Sequence, residues 1–226
     1  MRNPRGRIYF MVPFQPFNKY FAPPGEVVLK RNKLERQQTD IVLKLLFLFL
    51  KTGYELLTMA LKYMVKIGLL SDTHSYLDDA VFKHFENCDE IWHAGDFGSM
   101  EVIEKLQAFK PLKGVYGNID GPEIRNIMPE NLRFNCELTD VWITHIGGYP
   151  GRFSPLVKRE IYTKPPDIFI CGHSHILKVI YDKNLNCLCI NPGAAGKQGW
   201  HKVRTLVRFC ISGQNIHTFE LIELAK

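Results

Sequence analysis

Five short apolar runs in this chain each stop at a loop carrying an aspartate, a histidine or an asparagine, and no other feature constrains the fold as much. Residues 65–70 run into Ser71-Asp72-Thr73-His74, and residues 91–94, which include His93, run into Gly95-Asp96. Residues 112–116 run into Gly117-Asn118-Ile119-Asp120. Later come Thr144-His145-Ile146-Gly147-Gly148 and, after residues 168–171, Gly172-His173-Ser174-His175. The 65–70 run is nearly continuous in apolar residues, as a strand buried on both faces requires. Residues 78–85 and 101–109 each show one apolar helical side, and Pro111 stops the second. Strand–helix repetition of this kind predicts a parallel sheet. The C-terminal strand ends of such a sheet form one rim, where loops distant in sequence converge.

The second half reads differently. Short strands are expected at 132–138, 141–146, 168–171, 179–181, 187–190, 203–210 and 216–221. Thr139-Asp140 and Asn184 fit tight turns, and Ser212-Gly213-Gln214-Asn215 signals a hairpin. Alternating helices and strands followed by a strand-rich half point to two packed sheets flanked by helices.

Each rim residue alone has a plain explanation. An aspartate after a strand is commonly a helix N-cap, and Asn118 after a glycine fits a turn. What those explanations leave out is the coincidence of five loops. The rim gathers the carboxylates of Asp72 and Asp96, the imidazoles of His74, His145, His173 and His175, and the Asn118 amide. That set exceeds one tetrahedral zinc and suits two adjacent cations. Nitrogen and oxygen donors without thiolate suit Mn²⁺, Fe, Zn²⁺ or Ni²⁺. On extended backbone, residues two apart point the same way, so one side chain of Asp72 with His74, and of His173 with His175, can lean toward each metal, or both toward one. His93 is read as a supporting or packing residue.

Composition separates two segments. Residues 1–63 hold eleven Lys and Arg against four Asp and Glu, whereas 64–226 hold eighteen against nineteen. The basic character thus belongs to the N-terminal quarter, and the remainder carries no nucleic-acid footprint. The apolar run 41–50 is ten residues long and contains Lys44, short of the about twenty a bilayer span needs. Residues 1–63 are therefore read as an extension, with a packed helix or a membrane-surface helix as alternatives. Residues 64–226 are read as the domain, and Met64 as an alternative start. Six cysteines without a CxxC pair suggest buried free thiols in a reducing cytoplasm.

The array resembles the calcineurin-like metallophosphoesterase superfamily, whose motifs run D-x-H, G-D, G-N-H-D/E, a lone His in an H-x-G-H-like loop, and G-H-x-H. Here they stand as Asp72-Thr73-His74, Gly95-Asp96, Gly117-Asn118-Ile119-Asp120, His145 before Gly147-Gly148, and Gly172-His173-Ser174-His175. The likeness covers residue 65 to about residue 221, and the short span points to the compact YfcE-type phosphodiesterase group, to which a retromer subunit is related. It implies an α/β fold, a four-layer α-β-β-α sandwich with two mixed sheets. It implies two divalent metal ions, Mn²⁺ foremost. One would be held by Asp72, His74 and His175, the other by Asn118, His145 and His173, with Asp96 bridging.

The implied activity is hydrolysis of a small phosphoester, a diester foremost, by in-line attack of hydroxide shared by two ions about 3.5–4 Å apart. Asn118 and Asp120 are the further catalytic candidates, with Asp120 and the Gly147-Gly148 turn orienting ligands or phosphate. The stretch 191–196 is read as a tight loop with a lesser claim to the same role. One departure matters: Ile119 stands where the family has a histidine that stabilises the transition state or protonates the leaving group.

The alternative from another class is a non-catalytic protein-binding scaffold of the same fold, which predicts lost ligands, whereas every ligand position is filled. Nucleic-acid binding through the basic N-terminus is a third reading. No stable membrane span is expected, and the oligomeric state stays open.

The charge split and the abrupt onset of strand periodicity at Val65 predict that a protein starting at Met64 matches the full chain in melting temperature and turnover. Paired thermal melts and assays check this, and a large loss in either shows that residues 1–63 support the domain.

Overall fold

The structure, a computed structural model, describes residues 64–225 together with Phe47, Leu48, Leu50 and Lys51. Those four are helical and belong to the unit Met1–Lys51, and the remaining described residues belong to the unit Thr52–Lys226. The readings made for the rest of 1–63 lie outside the described residues. Among the described residues no helix is long and apolar enough to cross a membrane.

The first half alternates as its sequence dictates. β1 (Val65–Leu70) is followed by α1 (Asp79–Phe85), β2 (Glu90–His93), α2 (Met100–Phe109) and β3 (Leu112–Gly114). Asp78 caps α1 by accepting from the Ala80 N–H at 2.9 Å, satisfying a donor that the helix start leaves open. α3 (Pro122–Ile127) comes next, then the hairpin β4 (Asn131–Cys136) and β5 (Thr139–Thr144). A small ribbon, β6 (Gly148–Tyr149) with β7 (Arg152–Phe153), precedes α4 (Pro155–Thr163) and β8 (Ile168–Ile170). The chain closes with β9 (Lys178–Asp182), β10 (Cys187–Asn191), β11 (Val203–Ser212) and β12 (Asn215–Ala225).

Two five-stranded sheets result, in the orders β12-β11-β1-β2-β3 and β4-β5-β8-β10-β9. Each is mixed: β1, β2 and β3 run parallel in one, β5, β8 and β10 in the other, with antiparallel strands at the flanks. Ile67, Leu69, Trp92, Val207 and Phe209 of the first sheet meet Val141, Ile143, Ile168 and Ile190 of the second in one apolar cluster. On the outer face of the first sheet, Val81 and Phe85 of α1, Val102, Ile103 and Leu106 of α2 and Ile124 of α3 form a second cluster. Val157 and Ile161 of α4, one helical turn apart, cover Trp142 and Phe169 of the second sheet. The expected four layers, helices–sheet–sheet–helix, are present. All six cysteines are free and buried.

Two details correct the sequence reading. The β4–β5 turn falls on Glu137-Leu138, not on Thr139-Asp140, with Glu137 in the left-handed region at φ 53°. Thr139 is instead buried and donates to the Gly213 carbonyl at 2.9 Å, while Asp140 takes the Arg133 guanidinium at 2.6–3.2 Å. These partners draw both residues into the ladder. The short helices α3 and α4 were not expected, although each starts with proline at a position where its missing N–H costs nothing.

Candidate metal centre

The parallel pairing of β1 with β2 continues beyond the strands. Asp72 N–H donates to Gly95 O at 3.0 Å, His74 N–H to Asp96 O at 3.1 Å, and Ser75 N–H to Phe97 O at 2.8 Å. In the second sheet Gly172 N–H donates to His145 O at 3.0 Å. The rims of the two sheets join where His173 N–H donates to the Asp72 carboxylate at 3.1–3.2 Å. All seven predicted residues therefore belong to one site.

The backbone of these loops is not extended. Asp72, His74, Asp96, His173 and His175 have φ of 55°, 48°, 57°, 68° and 55°. A residue with a Cβ pays roughly 1 kcal/mol or more in that left-handed region, and such strain concentrates where function holds it. The expectation of extended backbone is thereby corrected, while the two histidines divide between the donor groups, one of the arrangements the spacing allowed. His173 and His175 diverge: His173 Nδ1 lies 2.8 Å from Asn118 Oδ1, and His175 Nε2 lies 3.2 Å from Asp72 Oδ1.

Two donor groups result. His74 Nε2 stands 3.1 Å from His175 Nε2 and 4.0 Å from Asp72 Oδ1. Across the site, His145 Nε2 stands 3.1 Å from Asn118 Oδ1 and 3.3 Å from Asp96 Oδ1. The other Asp96 oxygen lies 3.7 Å from His74 Nε2, so this carboxylate reaches both groups. Asp72 also reaches beyond its own group: donor atoms of Asp72, Asp96 and His145 lie within 4.8 Å of one another, as do those of Asp72, His74 and His175.

These atoms are short of protons. The His145 Nδ1 contact with the Ala94 carbonyl, 2.8 Å, requires a proton on Nδ1, because a carbonyl only accepts. In its neutral form His145 thus points an Nε2 lone pair at two further acceptors, Asn118 Oδ1 and Asp96 Oδ1, and when protonated it donates there. His74 Nδ1 is buried without a hydrogen-bond partner. Asp72 and Asp96 are buried, whereas Asn118 and His173 are exposed, so the site opens on that side. Lone pairs converging around buried carboxylates attract positive charge, and mixed N and O donors fit a divalent metal.

Proton affinities follow the same charges. Burial works against a charged His145, but the Asp96 hydrogen bond and the Asp72 and Asp96 charges outweigh it and raise its pKa. His175 is raised chiefly by its hydrogen bond to Asp72. His74 is lowered, because burial prevails over Asp96 and Asp72. Asp96 is held below the carboxylate range: burial opposes this, but His145, the Ile119 N–H and His74 prevail.

Other residues brace the loops. Asp120, a catalytic candidate by sequence, has its carboxylate occupied by three backbone N–H groups: Gly98 and Gly117 at 2.8 Å and Phe97 at 3.2 Å. It ties the Asp96 loop to the Asn118 loop. His93 lies beneath the site, not in it; its Nδ1 accepts from Gly95 N–H at 3.1 Å, its Nε2 meets Thr73 Oγ1 at 3.1 Å, and its ring stacks on Phe97. Asn191 donates from Nδ2 to Gly172 O at 2.7 Å and Ser174 Oγ at 3.1 Å, bracing the His173–His175 loop. Its signal was available, since it too ends an apolar strand. Arg125 donates to the Asp120 and Asn118 carbonyls at 2.7 and 3.2 Å; it sits on unforeseen α3 and carried no sequence signal. Gly147 and Gly148 line a cleft beside His173.

The model of the calcineurin-like phosphoesterase superfamily domain matches residues 65–214. The chain belongs to the calcineurin-like phosphoesterase superfamily. This phosphoesterase is 30% identical over 146 residues to a phosphodiesterase of Methanocaldococcus jannaschii, covering 57% of this chain and 83% of the relative. A solved archaeal phosphodiesterase superposes with a TM-score of 0.57 at 24% identity, over 71% of this chain and all of that one. Vacuolar Protein Sorting 29 of Cryptosporidium parvum superposes with a TM-score of 0.56 at 16% identity, over 72% of this chain and 99% of that one. At those identities the superpositions speak for the fold alone.

A Cβ on Gly117 would stand 1.9 Å from Asp96 Oδ1 and 2.4 Å from the Asp96 nitrogen. Gly117→Ala should therefore displace Asp96 and lose metal while keeping the fold; metal analysis beside far-UV circular dichroism checks this, and wild-type metal content refutes it. Burial also pushes His93 from its ordinary 6.5 down to about 3. Between those values the unfolded chain binds the extra proton, so His93 costs stability as pH falls below about 6.5. In metal-free protein, any melting-temperature advantage of wild type over His93→Gln should shrink from about pH 7 to about pH 5; a constant difference contradicts the assignment.

Proposed function

We propose that this phosphoesterase hydrolyses small phosphoesters, diesters foremost, with two divalent cations, manganese foremost, held by Asp72, His74 and His175 on one side and Asn118, His145 and His173 on the other. The observation that carries the reading is Asp96, whose two oxygens stand 3.3 Å from His145 Nε2 and 3.7 Å from His74 Nε2 and so serve both groups. Bound there, two such cations neutralise phosphate oxygens and bring the pKa of a water toward neutrality.

The chain's own residues set the rest. Ala94 O holds the His145 tautomer that leaves Nε2 as a donor. Asp120, Asn191 and Arg125 are positioning residues that fix the loops on which the donors stand. Substrate approaches from the exposed Asn118 and His173 side. Ile119, 45% exposed beside Asn118, has no proton to give a leaving group. Leaving groups that depart unassisted are therefore favoured, which is the ground for placing diesters with acidic alcohols ahead of alkyl monoesters.

We assign catalysis to 64–226, and the buried free thiols suit a reducing compartment such as the cytoplasm. A protein-binding scaffold of the same fold has no need of seven donors on strained, cross-braced loops, so hydrolysis is the better-supported reading.

The test is log kcat against leaving-group pKa for aryl and alkyl esters, using metal-reconstituted protein. A steep negative slope is expected in wild type, softened in Ile119→His, with an acid typically contributing about 10²–10⁴-fold. A flat wild-type plot means that another residue supplies the proton.

A further inference from the structure

A cleft of about 180 Å³ opens beside the donor set and shares His173 with it. It is built by the β6–β7 ribbon and the start of β9. Ile180 and Ile190 give it apolar walls, Tyr149 lies at one side, and Arg152 and Lys178 supply two cations. No acidic residue lines it among the described residues.

The two cations are held there without counter-charge. Arg152 is opposite Tyr149 in the ribbon, and the Lys178 ammonium lies over the Tyr149 ring, 3.2 Å from its centroid. Among the described residues neither makes an ion pair, whereas Arg133, Arg204 and Arg208 all pair with carboxylates. Two cations beside a half-enclosed apolar cleft attract an anion more strongly than the same pair in open water, because the cleft wall lowers the local dielectric. The scissile phosphate belongs to the donor set, of which this cleft holds only His173, so the anion for this cleft is a second one.

Building on the hydrolase reading, we propose that the substrate carries a second anionic group, a phosphate or a carboxylate. It would be joined to the scissile phosphate by a short apolar linker and bound by Arg152 and Lys178. The isoleucine walls face the linker, and the cations fix its far end. Selectivity of this kind appears in KM, since the contact is made equally in the ground and transition states.

Three p-nitrophenyl diesters test this with metal-loaded full chain: ethyl, carboxyethyl and phosphonoethyl. At least one anionic diester should show a KM about tenfold or more below the ethyl ester, at similar kcat, and comparison of the two tells carboxylate from phosphate. Lys178→Gln and Arg152→Gln should each lose most of the preference while leaving the ethyl ester unchanged, and Lys178→Arg should keep it. A calorimetric comparison of phosphonopropionate with propylphosphonate reads the same cleft without turnover. Equal KM values for three diesters that are all hydrolysed overturn the anion cleft and leave the hydrolase reading standing. If none is hydrolysed, that reading has failed, and phosphonopropionate binding no tighter than propylphosphonate then overturns the cleft as well.

Discussion

The Asp96 carboxylate is the contact on which the rest of the site depends. It stands in the loop after β2, which lies between β1 and β3 in the first sheet, so the loops on both sides lean on it. His74 N–H reaches its carbonyl, Ile119 N–H reaches its Oδ1, and Asp120 clamps the residues after it to Gly117. The close approach of Gly117 leaves no room for a side chain. A β2 shifted by one residue would turn this carboxylate toward the other face of the sheet and leave His145 and His74 facing each other without it.

Two costs meet at that point. Asp72 and Asp96 are buried carboxylates, which are expensive without counter-charge. Five donor residues hold left-handed backbone, which is expensive without compensation. Cations among these residues would offset both together, because the same loop shape that strains the backbone turns the lone pairs inward. The proton affinities of His145 and His175, raised by the Asp96 and Asp72 hydrogen bonds, are the metal-free expression of that demand.

Much of this was readable in the sequence because the signal was a pattern of position. Polar residues at strand ends converge whatever the details of pairing, so the rim and the seven residues gathered there could be found without coordinates. Conformation within the loops could not, since spacing of two suggests extended backbone and only the tertiary bonds to Gly95 and Asp96 impose left-handed turns. The helices α3 and α4 were hidden for a different reason. Each is short and buries only one or two side chains. What the sequence could not display is that the Asp120 carboxylate is taken up by three backbone N–H groups. The cleft beside His173 is assembled from β6, β7 and β9, and nothing local in those segments announces it.

The central claim is that Asp96 joins two cation sites. Titration of metal-free protein with Mn²⁺, read by electron paramagnetic resonance, tests it most directly in wild type beside Asp96→Ala. Two bound ions per chain are expected in wild type, close enough to couple magnetically, and loss of both in the variant. One ion or none in wild type, or two ions retained by the variant, contradicts the account.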